Sequence, residues 1–309
     1  MAQTVTEKIG FWRTRIWLFN KMCGMARHNM LNWVPDKTFI KLQYYLKLGR
    51  RLNLEKPALY NEKLQWIKLY DRKPIYNKFV DKIAVRDYVA RTVGKKYLVP
   101  MICTCDSEDD IPWDELPRKY VLKCSHGSSC NIIQDGKKSE SVIMRERARL
   151  PEWMKRNWYW FSREWPYKDV KPRILIEQYL EGPSGDVPYD YKILCFDGKP
   201  VYIIVDVDRY SDHKRNFYDV NWVRQDMFNR HPGYDGDIPR PERLDEMLDV
   251  AAKLSKGIRH IRIDLYDVEG KIYFGEMTFF HGYGMEVFRP REFERKLGDL
   301  ISLNGGKKN

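Results

Sequence analysis

Apolar side chains recur at helical spacing along residues 61–93. The polar, proline-containing segment 71–74 interrupts this pattern, so two helices are predicted. Gly94 is placed to end the second helix. Residues 97–102 then predict a short strand, with a domain boundary near residue 100. The apolar stripes consist of Leu64, Ile67 and Leu69 in the first helix and Val80, Ile83, Ala84, Tyr88 and Val89 in the second.

Beyond the acidic loop 106–110, the pattern changes to the alternation that is typical of strands. A helix is predicted over 241–256, because this segment opens with proline and acidic residues and carries its leucines on one face. The mixture of strands and helices predicts an α+β fold, and the tail 305–309 is predicted to be disordered. The predicted strands are 120–123, 131–134, 173–180, 190–196, 201–209, 260–266 and 271–277.

The N-terminal segment 11–50 mixes aromatic and basic residues in an amphipathic, helical pattern. Two interpretations are open for it. The helix either packs on the body with a solvated basic face or lies against anionic lipid or a membrane-linked partner.

The hydrophobic content, net charge and cysteine count indicate a globular protein with an anionic partner. The 309 residues are 43% hydrophobic, which is enough for a substantial core, and the formal charge of +12 favours an anionic partner. No run approaches the ~20 apolar residues of a membrane span, so we expect a cytoplasmic protein, peripheral at most to the inner face of the membrane. The six cysteines are expected to be reduced. A zinc site of Cys103, Cys105, Cys124 and Cys130 is an alternative with weak spacing.

The segment 260–284 predicts a hairpin whose acidic residues oppose each other. A loop of residues 269–271 would pair Val268 with Ile272, and further out Asp264 with Glu276 and Arg262 with Thr278, all four on one face. Opposed carboxylates repel unless a cation lies between them. Mg²⁺ suits such a pair because it prefers oxygen ligands and needs only one or two carboxylates. A solvent-facing hairpin with scattered acids is the alternative.

Two further segments carry candidate nucleotide contacts. An apolar strand bearing Lys123 leads into residues 125–129, which are small and polar, and a second strand follows. This order excludes a Walker-type loop, which opens a helix, and suits a hairpin tip that closes over phosphates. Glu177 lies within an apolar strand, where it would either accept from a ribose or adenine donor or pair with a lysine.

In the order and spacing of these motifs, the chain resembles the ATP-grasp enzymes from about Asn53 to its end. The segments N-E-K-L-Q-W-I-K-L-Y-D-R at 61–72 and V-D-K-I-A-V-R-D-Y-V at 80–89 resemble the TupA-like branch, which is associated with cell-surface polysaccharide and teichuronopeptide biosynthesis. The resemblance implies two α+β subdomains that clasp ATP, at 99–182 and 183–309. A helical region at 1–98 would replace the usual preceding domain and contact substrate or membrane.

The resemblance also implies roles for individual residues. Arg262 and Lys192 would be catalytic, facing the transferred phosphoryl group. Asp264, Glu276 and Thr278 would bind Mg²⁺, although Thr278 stands where many relatives have asparagine. His281 stands where proline is common and would contact substrate or pack. The ATP contacts would be Lys82, Lys123, Ser125, His126, Gly127, Ser128, Ser129, Glu177, Gln178, Tyr179, Leu180 and Asp190.

The function implied is ATP-dependent ligation of a carboxylate to an amine through an acyl phosphate. We expect the carboxylate on an acidic saccharide or nucleotide sugar and the amine on a small molecule or amino acid, with no nucleic-acid partner. A kinase on the same fold is one alternative. A protein that binds nucleic acid or another polyanion is a second, suggested by the basic, aromatic-rich composition.

Overall fold

The computed structural model of the chain describes residues 2–182, 188–207 and 212–303, with side chains from residue 12 onward. The predicted disorder of 305–309 lies outside these ranges. Within them the helices are α1 (Ala2–Arg27), α2 (Asp36–Leu48), α3 (Tyr60–Tyr70), α4 (Ile75–Val80), α5 (Val85–Thr92), α6 (Glu140–Arg147), α7 (Leu150–Met154), α8 (Trp158–Ser162), α9 (Leu244–Ser255) and α10 (Glu292–Asp299).

The strands form two antiparallel sheets. Four strands make the first sheet, in the order β1-β4-β2-β3, and six make the second, in the order β10-β9-β5-β6-β7-β8. The strands are β1 (Met101–Cys105), β2 (Tyr120–Cys124), β3 (Asn131–Gln134), β4 (Ile174–Gln178), β5 (Asp190–Phe196), β6 (Lys199–Val207), β7 (Lys214–Asp219), β8 (Arg224–Gln225), β9 (His260–Val268) and β10 (Lys271–Thr278).

The predicted α+β class is therefore confirmed, but the boundaries of several helices and strands differ from those predicted. The region 61–93 forms three helices instead of two, since Asp81 ends α4 and caps a new turn by accepting from the amides of Ile83 and Ala84. Residues 95–97 form a 3₁₀ turn, and the predicted strand 97–102 begins only at Met101. The strand predicted over 201–209 ends at Val207 within the described range. The helices α6–α8 and α10 and the strands β7 and β8 had no predicted counterpart.

The main core lies on the six-stranded sheet. Helix α9 buries Leu244, Met247 and Leu254 against it, and α3–α5 contribute to the same core. The four-stranded sheet has its own smaller core with Leu150 and Trp153 of α7. The described strands of the two sheets lie within 101–178 and 190–278. The subdomain limits 99–182 and 183–309 stay predictions.

Helices α1 and α2 form a separate layer that packs on α8. The buried side chains between them come from α1, α2 and α8 and are Phe19, Met22, Cys23, Ala26, Phe39, Leu46 and Phe161. Asp36 at the start of α2 fixes this layer to the body. Its carboxylate pairs with Arg72 at 2.7 Å and Arg163 at 3.3 Å, and it accepts from the Tyr159 hydroxyl. The N-terminal region is accordingly helical.

Candidate active site

A cavity of about 450 Å³ lies between the two sheets, with walls from β2–β4 on one side and β5, β6, β9 and β10 on the other. Most of the predicted site residues line it, namely Lys82, Lys123, Ser128, Ser129, Glu177, Gln178, Tyr179, Leu180, Asp190, Asp264 and Glu276. The predicted residues outside its lining are Ser125, His126, Gly127, Lys192, Arg262 and Thr278. The cavity therefore brings together side chains that lie nearly 200 residues apart in the sequence.

The hairpin β9–β10 carries the acidic pair. Asp264 lies opposite Glu276, and Arg262 lies opposite Thr278, as the sequence predicts. The loop itself is different: Val268 pairs with Lys271, not with Ile272, so the turn contains only Glu269 and Gly270. Both of these residues have positive φ, which is typical of a two-residue hairpin turn.

A bulge restores the predicted pairing further along the hairpin. The register shifts between Phe274 and Glu276, so that Gly275 is the extra residue. A Cβ atom at Gly275 would lie 3.0 Å from the Tyr266 ring and 3.1 Å from the Asp264 carbonyl oxygen. The absence of a side chain there allows the two strands to approach, and the shift returns Glu276 to the same face as Asp264.

The three predicted metal ligands converge on one positively charged atom. Nη2 of Arg262 donates to Asp264 Oδ2 at 2.6 Å, to Glu276 Oε1 at 3.0 Å and to Thr278 Oγ1 at 3.2 Å. Arg262 Nε also donates to Asp264 Oδ1 at 2.6 Å. The cation that the opposed carboxylates require is Arg262 itself. Because three hard oxygens meet at a single point of positive charge, the donor set fits Mg²⁺.

Burial raises the pKa of Asp264 to about 7, with Asp190 and Glu276 adding to this and Arg262 opposing it. The side chain of Asp264 is only 4% exposed. It is therefore held at the boundary between its neutral and ionised forms, and added positive charge at this point favours ionisation.

Lys192 on β5 lies directly opposite Asp264 on β9, and carboxylates surround its ammonium group. Its ammonium pairs with Asp190 and, at 2.9 Å, with Asp206, while Arg215 donates to Asp206 at 2.5 and 3.0 Å. Burial opposes ionisation of Asp206, but Lys192 and Arg215 lower its pKa below the usual range. Asp190 and Asp206 line the cavity, whereas Lys192 lies behind them. Asp206 was not anticipated from the sequence.

Glu177 pairs with a lysine, which is one of the two roles that the sequence left open, and also with an arginine. Its Oε2 accepts from Lys123 at 2.8 Å, and its Oε1 pairs with Arg86 at 2.6 Å. Arg86 also donates to the Val99 carbonyl and so ties α5 to the start of the first sheet. Sequence reasoning missed Arg86, although it belongs to the V-D-K-I-A-V-R-D-Y-V segment that carries the resemblance. Glu177 remains in the cavity wall, beside the predicted adenosine contacts.

The predicted phosphate flap, residues 125–129, divides into two parts. Ser125 is fully buried, where its amide donates to the Arg173 carbonyl, and His126 bonds the Trp153 carbonyl at 3.0 Å. Ser128 and Ser129 reach the cavity. The half-buried Lys82 donates to the Gly127 carbonyl, and desolvation lowers the pKa of Lys82. The flap thus has a fixed base and an exposed tip that faces the space for phosphates.

Helix α3 clamps the loop that follows β10. Gln65 Nε2 donates to the carbonyls of Tyr283 and Gly284 at 3.1 and 2.7 Å, and the buried Lys68 donates to Tyr283 at 2.9 Å. The loop needs this support, because residues 282–284 all have positive φ, including the non-glycine Tyr283. The N-E-K-L-Q-W-I-K segment therefore acts on the C-terminal loop, at long range in sequence.

His281 lies within this clamped loop and is buried. Its Nε2 lies 3.1 Å from Glu286 Oε2, and its ring packs near Tyr60 at 5.9 Å. These contacts are those of a packed side chain, one of the two roles left open for it. As for the zinc alternative, the described part of the chain holds no group of three or more His, Cys, Asp or Glu side chains placed to bind a metal ion.

The chain is similar to one known protein family and to several solved structures. The model of the TupA-like ATP-grasp family matches residues 62–302. No curated protein matches the sequence. Among solved structures, D-alanine–D-alanine ligase from Bacillus anthracis is 20% identical, with 65% of this chain and 57% of that chain covered and a TM-score of 0.40. The chain thus spans less than two thirds of that ligase.

The ATP-grasp ligase PsnB, in a complex with a precursor variant, Mg and ADP, is 11% identical, with 88% of this chain and 70% of that chain covered and a TM-score of 0.43. D-alanine–D-alanine ligase from Helicobacter pylori is 14% identical, with 79% and 70% covered and a TM-score of 0.41. The family match extends over well more than half of the sequence, from the start of α3 to the end of the second sheet and beyond, and the chain therefore belongs to the TupA-like ATP-grasp family.

Proposed function

We propose that this protein is an ATP-dependent carboxylate–amine ligase that converts ATP, a carboxylate and an amine into ADP, phosphate and an amide. One observation carries the proposal. Lys82 and Lys123 form one side of the cavity, and the carboxylates of Asp264 and Glu276, held by Arg262, form the other. A polyphosphate with a bound metal ion requires this combination of lysines and carboxylates.

A carboxylate does not react directly with an amine at neutral pH, because oxide is a poor leaving group. Transfer of the terminal phosphoryl group of ATP gives an acyl phosphate, and attack by the amine then forms the amide and releases phosphate. Lys82 and Lys123 would hold the phosphates, Ser128 and Ser129 would cover them, and Arg262 would neutralise charge on the transferred group.

Asp264, Glu276 and Thr278 would hold Mg²⁺, which when bound withdraws negative charge from the phosphates. The side chain of Thr278 already donates to Glu276 Oε1 at 2.9 Å, so its oxygen belongs to the same cluster. A hydroxyl is a weaker ligand than the amide oxygen found in many relatives. The carboxylates would therefore carry most of the affinity for the ion.

We further propose that the carboxylate belongs to a uronic acid on a saccharide, a nucleotide sugar or a lipid-linked precursor, and that the amine belongs to a small molecule or amino acid. The charge of +12 supports an acidic acceptor. The reaction would take place in the cytoplasm, at or near the inner face of the membrane, where precursors of a surface or capsular polysaccharide are assembled.

Calorimetric titration with ADP, with and without Mg²⁺, tests the nucleotide site. A hydrogen bond to a charged group contributes about 1.5–3 kcal/mol, so Lys123→Ala should weaken binding by about 10- to 100-fold. Glu276→Gln should reduce the gain in affinity that Mg²⁺ gives. Lys137→Ala, which removes an exposed lysine beyond β3, is the matched control and should bind like wild type. Absence of ADP binding by the wild type would refute the proposal.

Product analysis separates ligation from phosphoryl transfer alone. A ligase releases ADP only when a uronate and an amine are both present, and the product gains an amide linkage. A kinase on the same fold would release ADP with a single acceptor and leave a stable phosphate on it. ADP release that requires no amine, with a phosphorylated product, would replace the ligase assignment by the kinase alternative.

A further inference from the structure

The N-terminal layer exposes an unusual set of large apolar side chains. Trp33 is 79% exposed, Trp17 57% and Met30 58%. The exposed tryptophans of the described side chains all lie in this layer, while those elsewhere are buried or half-buried. We call the exposed apolar residues on the outward side of α1 and in the loop after it the aromatic face; its members are Trp17, Leu18, Met25, Met30 and Trp33.

The aromatic face is distinct from the surface by which α1 packs on the body. Phe19, Met22 and Ala26 are buried at helical spacing, and they contact α2 and α8. Trp17 is two residues from Phe19, about 200° around the helix, so it lies on a different stripe, and Met25, about two turns further along, lies nearer to Trp17 than to Phe19 in direction. Lys21 lies between Trp17 and Met25, with its ammonium 5.6 Å from the Trp17 ring centre. The helix therefore has two apolar stripes, of which only one is covered.

Positive charge is concentrated in the same layer. Residues 12–51 contain nine Lys and Arg against a single acid, Asp36, a formal charge of +8 out of +12 for the whole chain. Asp36 is turned inward, where it pairs with Arg72 and Arg163. The outward side of the layer consequently presents basic and aromatic groups without an opposing carboxylate from residues 12–51.

This combination fits one kind of surface. Tryptophan is favoured at the boundary between water and lipid, because its ring is large and apolar while its N–H remains polar. Lysine and arginine near an anionic leaflet add electrostatic attraction. None of the described helices is long and apolar enough to cross a membrane. A helix with one apolar stripe on the body and a second facing outward is suited to lie along the membrane plane.

We propose that the aromatic face and its basic surroundings dock the protein on the surface of an anionic lipid bilayer. The face would bury tryptophan and methionine side chains among the headgroups, with the lysines and arginines against lipid phosphates. The exposed side chains and their charge support this docking independently of the reaction proposed for the cavity.

Co-sedimentation of the full chain with vesicles tests this directly. Vesicles of phosphatidylcholine alone are compared with vesicles that also contain phosphatidylglycerol, at low and high salt. The protein should bind the anionic vesicles at low salt, and binding should fall at high salt or without the anionic lipid. Failure to bind anionic vesicles at low salt, or equal binding to neutral ones, would overturn the proposal.

Variants localise the binding. Trp17→Ser with Trp33→Ser should reduce vesicle binding by at least about tenfold, because the buried ring area supplies most of the apolar attraction. The matched control is Met144→Ser with Val223→Ser, which removes side chains that are 62% and 56% exposed elsewhere. Both variants should retain ADP affinity, which shows that they are folded. Equal vesicle binding by the two double variants would contradict the assignment of this face.

Separate measurements distinguish two other binding partners of the aromatic face, a second copy of this chain and a nucleic acid. If light scattering shows a dimer that Trp17→Ser with Trp33→Ser converts to a monomer, and vesicles are not bound, the face is an interface between copies of this chain. If the wild type binds a single-stranded oligonucleotide more tightly than anionic vesicles and the same variant loses that binding, the face recognises nucleic acid. Either result would overturn docking on lipid.

Discussion

Replacing Arg262 by methionine should make the stability of the protein depend on Mg²⁺. Arg262 contacts Asp264 through two hydrogen bonds and Glu276 through one, and its side chain is 11% exposed. Methionine fills much of the same volume but carries no charge. The variant therefore leaves two opposed carboxylates without the cation that holds them together in the protein.

The expected cost follows from the burial of the partners. Removing one member of a buried ion pair costs about 3–5 kcal/mol. Glu276, whose side chain is 36% exposed, contributes little of this because water screens it, whereas Asp264 is 4% exposed. The pKa of Asp264 is already about 7 in the wild type, where Arg262 opposes a further rise. Without Arg262 this carboxyl takes up a proton at pH 7, which limits the cost. We expect a loss near the lower limit, about 3 kcal/mol at pH 7.

The pH dependence has a definite sign. A carboxyl whose pKa is higher in the folded state loses stability as pH rises from its unfolded to its folded pKa, here from 3.8 to about 7 in the wild type. Removal of Arg262 raises the folded pKa further. The variant should therefore continue to lose up to about 1.4 kcal/mol per pH unit above about pH 8, where the contribution of Asp264 in the wild type is nearly constant.

Urea unfolding with and without Mg²⁺ measures these effects. Mg²⁺ at about 100 times its dissociation constant should restore about 2.7 kcal/mol to Arg262→Met. Arg215→Met is the control, because Arg215 is also a buried partner of a carboxylate, Asp206, but Lys192 still neutralises that carboxylate. Arg215→Met should be destabilised with a smaller response to Mg²⁺. Equal responses by the two variants, or wild-type stability of Arg262→Met without Mg²⁺, would refute the reasoning.

Three further variants test the surroundings of the site. Gln65→Leu leaves the Gly284 carbonyl without its donor, so urea unfolding should show a loss of about 1–3 kcal/mol, and an unchanged stability would argue against the clamp. Gly275→Ala introduces a Cβ 3.1 Å from the Asp264 carbonyl oxygen and should cost about 1–3 kcal/mol while weakening Mg²⁺-dependent ADP binding; wild-type behaviour in both assays would mean that the bulge tolerates a side chain. Burial opposes ionisation of Glu286, but His281 lowers its pKa to about 2, so its stabilising effect is lost as pH falls from 4.5 toward 2. Glu286→Gln should lose less stability than wild type over that range in urea unfolding, and parallel losses would contradict the assigned pKa.

Much of the candidate site follows from local sequence patterns. The alternation in 260–278 predicts the opposition of Asp264 and Glu276, which the structure contains. The predicted loop, however, was one residue too long, and the bulge at Gly275 compensates for the difference. A pairing of side chains can thus be correct while the path of the backbone is not, because a bulge and a longer loop shift the register by the same amount.

The sequence determined which segments are strands and helices with strong periodicity, the chemistry that they carry, and the family. It did not determine the partners of the buried charges. Arg86 and Glu177 are 91 residues apart, and Gln65 and Gly284 are 219 apart. Their contacts depend on how the helices pack on the sheets, which no local pattern encodes.

The same distinction applies to the predicted metal ligands and to the N-terminal layer. The residue types alone predict a site for a cation, but only the tertiary structure brings the Arg262 guanidinium into contact with Asp264, Glu276 and Thr278. Likewise, the sequence predicts an amphipathic, basic N-terminal helix, and packing decides which of its two apolar stripes is covered. Periodicity specifies the faces of an element, whereas burial depends on what the rest of the chain brings against each face.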